Sequence, residues 1–74
     1  MDELTEEEEK VLEIINAECE ISNRTSIYRL YIEREIENRL GKRVNAYSLI
    51  ENLIYLGKII VTSYGNKCFI KPVE

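Results

Sequence analysis

Few side chains in this sequence are equipped to make or break a bond. There is no histidine, and the two cysteines, Cys19 and Cys68, lie far apart with no Cys-x-x-Cys spacing. A general base near neutral pH, a zinc cage and an activated thiol all lack their usual components. No glycine-rich phosphate loop occurs, and the carboxylates crowd into one polar stretch. The expectation is a protein that is not an enzyme and that uses no metal and no cofactor. The cysteines read as two buried free thiols. The alternative is a disulfide between the first helix and the last strand, of a kind found inside hyperthermophiles.

What remains is the chemistry of recognition, and the charges are arranged for it. The chain has 14 acids and 10 bases, a net charge of −4. Residues 1–20 hold nine of the acids and one base, Lys10, and so carry −8; residues 21–74 hold nine bases and five acids, a balance of +4. Local potential decides whether a phosphate is attracted, so an acidic total does not exclude a nucleic-acid partner. The longest run of aliphatic side chains is three, Ile59-Ile60-Val61, far short of a membrane span. The acidic N-terminus is unlike the basic start of a secretory signal, so a cytoplasmic, intracellular location is expected. Abundant Ile, Glu and Lys without any Gln is the composition of a thermophile's protein.

Seventy-four residues make one domain, here taken as 1–74, with a small core and a thin stability margin. Thr5-Glu6-Glu7-Glu8 is a capping box that opens a first helix over about residues 5–19. Val11, Leu12, Ile15 and Cys19 recur on one side of it, while Ile14 lies off that stripe. Thr25 or Ser26 is placed to cap a second helix ending near residues 38–39, before Leu40-Gly41. Its main stripe is Tyr28 or Arg29, Ile32, Ile36 and Leu40. A second apolar flank, Ile27, Leu30 and Tyr31, predicts burial on two sides or a meeting with another chain. After the turn Lys42-Arg43-Val44, Asn45 caps a third helix to about residue 56, with Ala46, Leu49, Ile50 and Leu53 at i, i+3, i+4 and i+7. Residues 58–63 and 68–71 read as strands joined by Tyr64-Gly65-Asn66-Lys67. The predicted order is three helices followed by a two-stranded β-hairpin, an α+β fold.

Helix two, a short glycine-containing turn and helix three form a helix-turn-helix signature. The pattern Ile36-x-x-x-Leu40-Gly41, then Ala46-x-x-Leu49-Ile50-x-x-Leu53-x-x-x-Gly57-Lys58-Ile59, resembles winged-helix regulators of the multiple-antibiotic-resistance and arsenic-repressor type. It is still more similar to the very short winged-helix proteins of archaea and their viruses, over nearly the whole chain. That resemblance implies that helix three enters the major groove of double-stranded DNA and that the hairpin, as the wing, touches the flanking backbone. Ala46, Leu49, Ile50 and Leu53 then take the family's core positions, leaving Asn45, Tyr47, Ser48, Glu51 and Asn52 on the solvent side. Asn45, Tyr47, Ser48 and Asn52 supply donors and acceptors for base edges. No arginine stands on this face, a departure from the commonest guanine-reading pattern. Lys42 and Arg43 in the turn, Tyr64, Asn66 and Lys67 around the wing tip, and Arg24 before helix two are the expected backbone contacts.

A regulator of this size is expected to act as a homodimer, using the surplus apolar residues Ile14, Ile27, Leu30 and Tyr31. The acidic run Glu6–Glu9 is a solvated helix start whose functional reading is that it faces away from DNA. Tyr55 reads as a partly buried surface aromatic. The competing reading is a winged-helix module that binds protein and no DNA, favoured by the acidic first helix and the arginine-free third.

Overall fold

The computed structural model describes residues 4–73. Their elements are α1 (Glu6–Ser22), β1 (Ile27–Tyr28), α2 (Arg29–Leu40), α3 (Ala46–Tyr55), β2 (Ile59–Tyr64) and β3 (Lys67–Pro72). The capping box closes α1 as its sequence dictates: Thr5 Oγ1 accepts from the Glu8 backbone N–H at 3.1 Å, and Glu8 Oε1 accepts from the Thr5 N–H at 2.9 Å. At its other end α1 runs to Ser22, beyond the expected stop. Asn23 takes the left-handed conformation (φ 55°) and its N–H bonds back to Glu20, ending the helix as a glycine would.

The start of α2 differs from expectation. Neither Thr25 nor Ser26 caps it. Ile27 and Tyr28 instead form a two-residue strand that pairs antiparallel with β3, Ile27 opposite Ile70 and Tyr28 opposite Phe69, and α2 begins at Arg29 without a side-chain cap. The hairpin therefore becomes a three-stranded antiparallel sheet in the order β1-β3-β2. Pairing satisfies backbone groups on the free edge of β3, which outweighs an early start to the helix. The hairpin turn is Gly65-Asn66. Only Gly65 has positive φ (61°), the pattern of a type II′ turn. Gly41, after α2, sits at φ 96°, ψ 157°, a conformation essentially reserved for glycine.

The core lies between the three helices and one face of the sheet. Val11, Ile14, Ile15, Ile27, Ile32, Ile36, Ala46, Ile50, Leu53, Ile59 and Ile70 form a single buried cluster. Ile14 and Ile27, expected at a subunit interface, are each only 6% exposed and belong to this core. α1 packs against α2, α3 and the sheet at once, so its buried surface is wider than one stripe. The three glycines and Asn23 aside, no residue of the described chain takes a positive φ. No helix among the described residues is long and apolar enough to cross a membrane.

Candidate nucleic-acid interface

α2 and α3 are joined by residues 41–45, and α3 starts where Asn45 Oδ1 accepts from the Ser48 N–H at 3.0 Å. Asn45 is thereby held as a cap, with its amide N–H₂ unengaged among the described residues. With Ala46, Ile50 and Leu53 turned inward, Tyr47, Ser48 and Tyr55 are exposed on the outer side. Tyr55, expected to be partly buried, is 86% exposed, more so than Tyr47 on the same helix.

Each flank of α3 is tied to a neighbouring helix. On the α2 side, Arg29 donates from Nε to Glu33 Oε2 at 3.1 Å and holds Nη2 3.6 Å from Glu51 Oε1. Its guanidinium lies 4.6 Å from the centre of the Tyr47 ring, a cation–π stack. Glu51, as hydrogen-bond acceptor and negative charge, pushes the Tyr47 phenol above its ordinary pKa. Glu51 is therefore a paired carboxylate. Arg29 was not among the sequence-derived site residues, yet it organises this flank. Its Nη2 is buried without a hydrogen-bond partner among the described residues.

On the α1 side, the Asn52 amide donates to Glu8 Oε2. Asn52, expected to read base edges, is exposed, and its amide makes this bond to Glu8. Glu8, buried against α3, accepts from the Thr5 backbone N–H and from Asn52, and these donors hold its pKa below the ordinary carboxylate value against the opposing effect of burial. The acidic helix start does not simply face away from α3: one of its members is docked on it.

The cations of the turn behave differently. Lys42 and Arg43 are exposed and form no ion pair among the described residues. Asn66 is exposed at the hairpin tip. Tyr64 and Lys67 lean over the sheet instead of projecting from the tip: the Tyr64 ring meets Phe69 edge-on at 6.0 Å, and Lys67 Nζ lies 5.8 Å from the Tyr28 ring centre. Arg24 is exposed beside an open groove of about 640 Å³ shared with Glu20 and Lys71, at the opposite end of β3 from the tip.

No family model, curated protein or solved structure matches the chain.

Of the four residues assigned to a subunit interface, Leu30 and Tyr31 are exposed. The Tyr31 hydroxyl donates to buried Glu18 at 2.9 Å, which raises the phenol's pKa, and Arg39 donates to the other oxygen of Glu18 at 3.0 Å. Cys19 and Cys68 are half-buried free thiols, and burial pushes the Cys19 thiol up. The interhelical partners of Glu8, Glu18 and Arg29 lie 13–44 residues away in sequence and leave no periodic trace in it.

Proposed function

We propose that this protein is a winged-helix DNA-binding regulator of transcription that acts as a homodimer. α3 is its recognition helix and the β2–β3 hairpin its wing. The observation that carries this reading is the contrast at the start of α3. Lys42 and Arg43 are exposed without ion pairs among the described residues, while the carboxylates flanking α3 are occupied, Glu8 by its cap and Asn52, Glu51 by Arg29. Arg29 offsets the charge of Glu51, and the cation pair can neutralise backbone charge where α3 enters the groove. Tyr47, Ser48 and the Asn45 amide then face the base edges, with Tyr55 further along the helix. Lys67 and Asn66 reach the flanking backbone. Leu30 and Tyr31, together with Ile21 at 76% exposure, supply the apolar surface for dimerisation.

The test is a fluorescence anisotropy titration of a random-sequence duplex at about 50 and 200 mM salt. Binding weakens with salt, at two chains per duplex. Lys42→Ala combined with Arg43→Ala lowers the slope of log affinity against log salt by about 2 per bound chain. Absence of binding at low salt overturns this reading in favour of a protein-interaction module. That second reading is favoured by the two carboxylates that border α3 and by the absence of arginine on its outer face.

A further inference from the structure

The outer face of the sheet is built unlike the rest of the surface. Ile27, Ile59 and Ile70 point into the core, so alternation turns their strand neighbours Tyr28, Ile60, Phe69 and Lys71 the other way. The register places Tyr28, Phe69 and Thr62 side by side across all three strands, with Tyr64 and Lys67 paired next to them. Three aromatic rings form a continuous row: Tyr28 to Phe69 at 5.8 Å, Phe69 to Tyr64 at 6.0 Å. Lys67 and Lys71 stand at the two ends of the same strand, about 13 Å apart at the rise of a β-strand. Among the described residues, no acid stands in the strands of this face, although the chain as a whole carries −4. Where the face ends, Glu20 and Arg24 line the groove beside Lys71.

We propose that this face binds single-stranded nucleic acid, two or three unpaired bases stacking on Tyr28, Phe69 and Tyr64 while Lys67 and Lys71 hold the phosphates. Charge complementarity selects the partner: a row of rings set at 47° and 75° to one another and flanked by Lys67 and Lys71 suits a flexible polyanion whose unpaired, apolar bases can each turn to meet a ring. A sheet face with such rings stacks bases without regard to sequence, because every base has a π-face. A duplex keeps its bases within its own stack and cannot use the rings. The site is therefore distinct from the duplex-binding surface of α3, although Tyr64 and Lys67 border both.

The experiment compares a fluorescein-labelled oligothymidylate of about 12 nucleotides with an abasic deoxyribose-phosphate chain of equal length, by anisotropy at low salt. The protein has five tyrosines and no tryptophan, so quenching of tyrosine emission reports stacking directly. The oligothymidylate is expected to bind about tenfold tighter than the abasic chain and to quench. Phe69→Leu abolishes that advantage and leaves duplex binding unchanged. Tyr64→Ala reduces it as well, and, since Tyr64 is 70% exposed, without risk to the fold. Equal affinity for the two chains overturns the proposal, as does absence of binding or a full advantage retained by Tyr64→Ala. Duplex binding without oligothymidylate binding removes this site alone. The converse removes the α3 reading alone.

Discussion

Along α1, buried charge is answered from within the molecule. Glu8 closes its own helix end and receives Asn52; Glu18 holds Tyr31 and Arg39, which binds Glu35 as well. Around the 41–45 turn and along β3 the arrangement is reversed, and Lys42, Arg43, Lys67 and Lys71 form no ion pair among the described residues. The difference teaches that net charge is a poor guide to this chain's partners. Acids that accept internal hydrogen bonds contribute to folding, and those that face Arg39 also have their field offset by its charge. Bases without partners contribute little to folding and keep their field for a ligand.

The comparison breaks hardest where the closed side is emptied. Ile15 is fully buried on α1, and Ile15→Ala is expected to lower stability by about 2–5 kcal/mol, a large share of what a small domain holds. Urea denaturation would show a lower midpoint with an unchanged slope. Next comes Glu18→Ala, which removes the acceptor shared by Tyr31 and Arg39; both donors stay open to water and Arg39 keeps Glu35, so the expected loss is that of ordinary hydrogen bonds, about 0.5–1.5 kcal/mol. The exposed neighbour Glu20 is the control, and Glu20→Ala should stay within about 0.5 kcal/mol. Equal losses for the two glutamates would erase the distinction between tied and untied acids.

Local signals were legible in the sequence, and contacts across the fold were not. The Thr5–Glu8 capping box, the Asn45 cap, the Ala46/Ile50/Leu53 stripe and the Gly65-Asn66 turn each occupy a few adjacent residues, and each is present. β1 left no such signal. Two residues carry no periodicity, and Ile27-Tyr28 becomes a strand only because β3 offers an edge. Thr25 and Ser26 have the chemistry of caps but stand before that strand. Ile14 reads as a surplus apolar residue on a wheel drawn for one buried face, whereas α1 is enclosed from several directions. Asn52 reads as free until Glu8 is placed against it. The α3 surface was thus half legible: its solvent-facing residues follow from periodicity, but which of them are already engaged does not.

The finest test of the contrast is Glu8→Gln, since it removes a charge and leaves the shape. Glutamine keeps an acceptor for the Thr5 N–H, so the capping box survives. What is lost is the attraction of a carboxylate for the helix N-terminus and its charge-assisted bonds, about 0.3–1 kcal/mol near neutral pH. The sign of the pH dependence follows from the direction of the shift. Glu8 has a lower pKa folded than unfolded, so its contribution is complete above the ordinary glutamate value of about 4.3 and disappears as pH falls through the lowered one. The difference in unfolding free energy between wild type and Glu8→Gln should therefore be constant from neutral pH to about pH 5 and shrink below it. A difference that stays level through the acid range would mean that the folded protein does not favour the Glu8 carboxylate. Glu8 would then be as unanswered as the bases of the turn.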